Sequence, residues 1–111
     1  MNVRVIKKSN VFHHIGNNHH MLKAFVDFFD KLEYVSWKKP QDIIQTFKSA
    51  DLINCPKKQK NRIVFNIARN RYRMISGYHF RVSQTILYVK FVGTHKEYDA
   101  VDICKVNQFK K

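Results

Sequence analysis

The chain has 111 residues, with 21 Lys and Arg against 8 Asp and Glu, for a formal net charge of +13. That length is one domain, expected to span 1–111, and a hydrophobic content of 44% is enough for a real core. No apolar run approaches the roughly 18 residues of a membrane helix, and the first residues alternate like a strand rather than a targeting segment, so a cytoplasmic protein without membrane contact is expected.

Residues 2–6 form a short candidate strand with Val3 and Val5 on one face. Residues 10–20 are polar and hold four of the six histidines, as His13–His14 and His19–His20. Adjacent histidines share no face of a helix or strand, so this stretch reads as a solvated or helical segment and not as a zinc site. Over 18–34 the apolar residues Met21, Leu22, Phe25, Phe28, Phe29 and Leu32 recur at three and four, which predicts an amphipathic helix facing the core. Trp37 follows. Pro40 then suits the first turn of another helix, with Ile43, Ile44 and Phe47 on one side and an end near Ala50. Residues 54–61, with Lys57, Lys58 and Lys60, form a basic loop.

Three strands come next. Residues 62–67 place Ile63, Phe65 and Ile67 on one face, and residues 68–70 turn the chain. Residues 71–78 alternate Arg71, Arg73 and Ile75 against Tyr72, Met74 and Ser76. Residues 85–92 set Leu87, Val89 and Phe91 toward the helices and leave Tyr88 and Lys90 outward. The short connections favour an antiparallel meander. Thr94 and Glu97 are spaced as a capping box, which predicts a last helix from His95 to about Val106 and a frayed end over 109–111. The expected class is therefore α+β, a small mostly antiparallel sheet with helices on one face. Cys55 and Cys104 are far apart and belong to no C-x-x-C pair, so they read as buried or inert thiols.

The charge is concentrated. Residues 52–96 contain no acid and hold ten cations: Lys57, Lys58, Lys60, Arg62, Arg69, Arg71, Arg73, Arg81, Lys90 and Lys96. So many like charges destabilise a compact domain, and the phosphates of a nucleic acid are the commonest compensation. The sequence offers no glycine-rich phosphate loop, no H-E-x-x-H, no G-x-S-x-G and no carboxylate cluster suited to magnesium, so neither a metal nor a cofactor is expected. Metal-free RNA cleavage needs only a proton acceptor for the 2′-OH, a donor for the leaving oxygen and cations for the phosphorane. Arg73 suits bidentate phosphate contact, although an exposed sheet arginine fits the pattern equally well. His95, in the first turn of a helix where the dipole favours a neutral imidazole, is a candidate base. Tyr98 shares its helix face, and as readily fits an ordinary core position. Lys57, Lys58, Lys60, Arg62, Arg69, Arg71 and Arg81 are candidate RNA-backbone contacts, with Tyr72, Tyr78, Phe80 and Tyr88 interleaved as possible stacking faces.

The segments Val64-Phe65-Asn66-Ile67, Arg71-Tyr72-Arg73-Met74-Ile75 and above all Tyr88-Val89-Lys90-Phe91-Val92-Gly93-Thr94-His95-Lys96-Glu97-Tyr98-Asp99, together with Trp37-Lys38-Lys39-Pro40-Gln41-Asp42, Phe47 and Ala50-Asp51, resemble the HigB toxins of the RelE/ParE superfamily. The resemblance implies a RelE-like fold and a ribosome-dependent mRNA interferase that cuts translated mRNA in the 30S decoding site. It also implies a HigA-like helix-turn-helix antitoxin, with operator DNA bound only through the toxin–antitoxin complex. By motif it assigns Arg73, His95, Tyr98 and Lys90 to the scissile phosphate. Two rival readings rest on the same residues: a non-catalytic RNA- or ribosome-binding module, and a ParE-type toxin acting on gyrase.

Overall fold

The computed structural model describes residues 3–56 and 58–109, so the expectations for Asn2, Lys57 and residues 110–111 lie outside the described residues. The elements run β1 (Val3–Ile6), α1 (Lys8–Ile15), α2 (His19–Leu32), α3 (Pro40–Thr46), β2 (Asp51–Ile53), β3 (Arg62–Ile67), β4 (Tyr72–Phe80), β5 (Thr85–Thr94) and α4 (His95–Asp99). The strands form one open sheet in the order β1-β5-β4-β3-β2. β2, β3, β4 and β5 pair antiparallel in sequence, and β1 adds parallel to β5. The fold is α+β, with a five-stranded mixed sheet and helices packed alongside.

The helix layer follows from the apolar spacing. α2 buries Met21, Phe25, Phe28, Phe29 and Leu32, and Asn18 caps it by accepting from the Met21 amide at 3.0 Å. Its Phe28 ring meets Phe47 and Phe65 at centroid distances of 5.1 Å. α1 contributes Val11 and Ile15 to the same core, which continues through Ile63, Met74, Leu87 and Val92 of the sheet. Pro40 opens α3 as expected, and Asp42 Oδ2 accepts from the amides of Lys38 and Lys39. That helix ends at Thr46, short of Ala50, and the chain turns at once into the unanticipated edge strand β2.

β5 departs from simple alternation. Ile75 pairs with Phe91 but Ser76 pairs with Val89, so Lys90 is an extra, bulged residue. Val89 therefore faces the helices as expected, whereas Phe91 turns to the opposite face and joins Val64 and Ile75. Val92 takes its place in the main core.

The second face of the sheet is thus part apolar, and the chain end covers it. Val101, Ile103 and Val106 pack against Val64, Ile75 and Phe91. This corrects the expected long last helix, which stops at Asp99. Asp102 Oδ1 accepts from the Cys104 amide at 3.0 Å, a local bond that competes with helix, and Arg62 Nη1 donates to the carbonyls of Ile103 and Val106 at 2.8 and 2.6 Å. Beyond Tyr88 the β5 edge has no β1 partner. Gln108 covers it: its amide donates to Lys90 O at 2.8 Å and its Oε1 accepts from the Val92 amide at 2.9 Å. Phe109, expected to fray, is buried against His14.

The cysteines also differ from expectation. Cys55, in the β2–β3 loop, and Cys104 form a disulfide with Cα atoms 5.7 Å apart. Their separation in sequence hid the pairing, because the fold over of residues 100–109 alone brings them together. The loop closed spans a separation of 49 residues, and in the chain-entropy account its closure contributes about 4 kcal/mol. Reduction, or Cys104→Ser, is expected to lower the unfolding free energy from urea titration by that order; a midpoint unmoved by dithiothreitol would show that the apolar contacts and Arg62 hold the segment unaided.

Candidate functional site

The face of the sheet turned away from the helices carries two groups of cations, one at each end of the Val64–Ile75–Phe91 patch. At the first, Arg73 on β4 sits opposite Gly93 of β5. Its guanidinium carbon lies 4.7 Å from the Tyr98 ring centroid, a cation–π contact that holds a planar cation in place. One Nη donates to Asn70 Oδ1 in the β3–β4 turn. The Arg73 Nε is buried and has no hydrogen-bond partner. A buried donor left unpaired is costly.

α4 brings up the other two residues. Thr94 and Glu97 make the reciprocal capping box, Glu97 N to Thr94 Oγ1 at 3.2 Å and Thr94 N to Glu97 Oε1 at 2.8 Å. His95 is exposed, its ring stacks on Tyr98 at a centroid distance of 6.4 Å, and its Nδ1 lies 3.8 Å from Asp99 Oδ2. The stack therefore runs Arg73, Tyr98, His95. The helix terminus itself is a poorer anion site than the sequence suggested. α4 has five residues, its Glu97 amide is taken by Thr94, and the His95 amide donates to Arg71 O at 3.2 Å.

Gly93 makes this corner possible. A Cβ there would stand 2.7 Å from Phe91 Cζ and 2.9 Å from Glu97 Oε1. Gly93→Ala is expected to cost about 1–3 kcal/mol of stability by overpacking, measured by thermal or urea unfolding.

Lys90 belongs to the second group and not to the first. It shares a cavity of about 360 Å³ with Lys60, Arg62, Gly77, His79 and Tyr88. Burial lowers its pKa from the ordinary lysine value, and the charges of Arg62, Lys7 and Lys60 lower it further. Burial likewise lowers that of Arg62, opposed by Asp102. A lysine whose pKa is depressed by folding binds its proton more weakly folded than unfolded, so stability rises as pH climbs through the lowered value toward the unfolded one. Lys90→Met is therefore expected to raise Tm at neutral pH and to remove that alkaline gain. A Tm lowered by the substitution would show that Lys90 is not held against like charge.

The remaining expected contacts are dispersed. Arg69 and Arg71 are exposed at the β3–β4 turn, where Ala68, Arg69 and Asn70 all take positive φ. Arg71 Nη1 bonds His20 Nε2 at 2.9 Å, and His20 Nδ1 bonds Tyr72 Oη at 2.9 Å, which ties the turn to α2. Lys58 is exposed in the β2–β3 loop and Arg81 in the loop after β4. Two residues of the site, and one feature of the backbone, went unmarked in the sequence. Asp99 was legible as the i,i+4 neighbour of His95. Asn70 and the bulge at Lys90 depend on turn and register geometry that no residue spacing announces.

A small basic α+β domain with an open sheet, one helix-covered face and a cationic second face is thus the class of protein the fold and site define. The chain matches the HigB toxin family, described as the RelE-like toxic component of a toxin–antitoxin system, over residues 22–101, and it belongs to that family. No curated protein matches it. β1, α1 and the segment from Asp102 onward, including Cys104 and Gln108, lie outside the matched stretch. Among the described residues no helix is long and apolar enough to cross a membrane.

Proposed function

We propose that this chain is a ribosome-dependent endoribonuclease, the toxin of a toxin–antitoxin pair, which cuts translated mRNA without a metal by 2′-OH attack on the adjacent phosphorus. The observation that carries the reading is the corner where the Arg73 guanidinium lies against the Tyr98 ring and the His95 ring stacks with the same Tyr98. Arg73 stabilises the charge that builds on the phosphorane oxygens. His95 moves a proton to or from the reacting oxygens, with Asp99 Oδ2 3.8 Å from Nδ1 to orient the ring. Tyr98 touches both and holds them together. Lys90, Lys60 and Arg62 supply field and grip on the flanking strand, along with the dispersed Lys58, Arg69, Arg71 and Arg81. The reaction needs the 2′-OH, so DNA is spared. In the cytoplasm the partners are the ribosome with its mRNA and a HigA-like antitoxin whose acidic groups pair with this face.

The test adds the protein to translating ribosomes and maps mRNA 5′ ends. Arg73→Ala is expected to slow cleavage about 10²–10³-fold and His95→Ala about 10²–10⁴-fold. Cleavage by the double variant at the wild-type rate would refute the site. Binding without any cut ends would leave a non-catalytic RNA module, and DNA breaks with intact mRNA a gyrase poison.

A further inference from the structure

The cavity at the second cation group lies apart from the Arg73 corner, and its lining gives the grip on the flanking strand a definite form. Lys60 and Lys90 line it, and no hydrogen bond or ion pair joins either ammonium to an acceptor among the described residues. Arg62 is different: its Nη1 is committed to Ile103 O and Val106 O, so it fixes the wall and contributes its charge. Lys7 adds a further charge nearby, while its Nζ donates to Phe109 O at 3.2 Å. Cations gathered this way repel one another, and the arrangement persists because the disulfide, Arg62 and Gln108 hold the wall in place. Gly77 leaves the floor open, with the nearest side-chain atoms, Lys90 Cε and Tyr88 Cβ, 3.8 and 3.9 Å from where a Cβ would sit. Tyr88 presents a ring beside Lys90, with Nζ 6.0 Å from its centroid.

We propose that this cavity is a nucleotide subsite separate from the Arg73 corner, taking one phosphate of a single strand on Lys60 and Lys90 and the attached base against Tyr88. The volume of about 360 Å³ is in the range of small-ligand pockets, and a ring beside free ammonium groups is how sequence-tolerant single-strand sites are built. Arg73 and Gly77 are four residues apart on β4, roughly 13 Å at the strand rise, with the buried Ile75 and Phe91 between them. The tail residues Val101, Ile103 and Val106 cover that patch, so a strand held at both ends passes over the tail. The Cys104 wall lies outside the family match, so the subsite's shape is a property of this chain's own tail. The inference rests on the preceding reading for the strand being mRNA.

The experiment measures binding of a 2′-O-methyl RNA hexamer, which resists cleavage, by fluorescence polarisation across a salt series. Lys60→Ala/Lys90→Ala is expected to weaken the hexamer about tenfold and to lower the salt slope by roughly 0.7, the share of the one phosphate they hold. Tyr88→Ala is expected to weaken it about tenfold through lost stacking. Adenosine monophosphate should displace the hexamer at lower concentration than inorganic phosphate, because only the nucleotide brings a base. The charge-matched control is Lys23→Ala/Lys48→Ala, at two exposed positions outside both cation groups. Hexamer affinity lost equally in the control and the test variant, or retained in both, overturns the subsite. Equal competition by phosphate and the monophosphate, with Tyr88→Ala silent, overturns its base half. The two readings fail separately. Wild-type mRNA cutting with hexamer binding indifferent to Lys60 and Lys90 sinks the subsite alone, and hexamer binding that depends on them with no mRNA cutting sinks the nuclease alone.

Discussion

One additional residue in β5, Lys90, sets the character of the whole second face. Without a bulge the strand would continue Leu87, Val89, Phe91 toward the helices and set Ile86, Tyr88, Lys90 and Val92 on the opposite face. The bulge sends Phe91 across to Val64 and Ile75 and brings Val92 into the core in its place. The resulting apolar patch has to be covered, and Val101, Ile103 and Val106 cover it. Covering it pulls the last segment off the helical path after Asp99, brings Cys104 to Cys55 and gives Arg62 two carbonyls to hold. The same insertion lifts the Lys90 side chain into the cavity beside Gly77.

That chain of consequences divides the cations into two working groups. Arg73, Tyr98 and His95 form a corner where a planar cation is gripped by an aromatic ring and one nitrogen is left without an acceptor. Lys60, Arg62 and Lys90 form a cavity whose charges are crowded and partly shielded from water. Both arrangements are unfavourable for the isolated protein, the first through an unpaired buried donor and the second through like-charge repulsion in a half-buried site. Folding energy from the phenylalanine-rich helical core and the closed loop sustains them. An anion bound among these cations would relieve the like-charge cost.

The sequence carried a good part of this. The periodicity of Met21, Phe25, Phe28, Phe29 and Leu32 marked α2, the alternation in 62–67 matched β3 to its ends, and the Thr94–Glu97 spacing marked the start of α4. These are local signals, set by side chains a few residues apart. The likeness of the stretch from Tyr88 to Asp99 to HigB toxins agrees with the family match and with the open mixed sheet. What escaped was non-local. β1 joins β5 in parallel across most of the chain, β2 forms only because β3 offers it an edge, and the disulfide exists only because the tail folds back. The resemblance grouped Lys90 with Arg73, whereas the side chain lines the cavity at the other end of the Val64–Ile75–Phe91 patch, a placement set by strand register.

The tail is where this chain's architecture and its family part. Residues 22–101 suffice for the sheet meander, the Arg73 corner and the cap of α4, whereas Cys104, Val106, Gln108 and Phe109 lie beyond them and hold the wall of the second cavity. Gln108 closes the β5 edge that β1 is too short to reach, so the tail also removes a row of unpaired backbone groups that invites edge-to-edge association. A partner that neutralises the cationic face must therefore meet a rigid, strapped surface. It can bring acidic side chains to the Lys60–Lys90 cavity or to the Arg73 corner, and the apolar patch between them is already occupied by the protein's own residues. Charge pairing, more than apolar burial, is what remains available to hold such a partner there, and an interface of that kind weakens as salt rises.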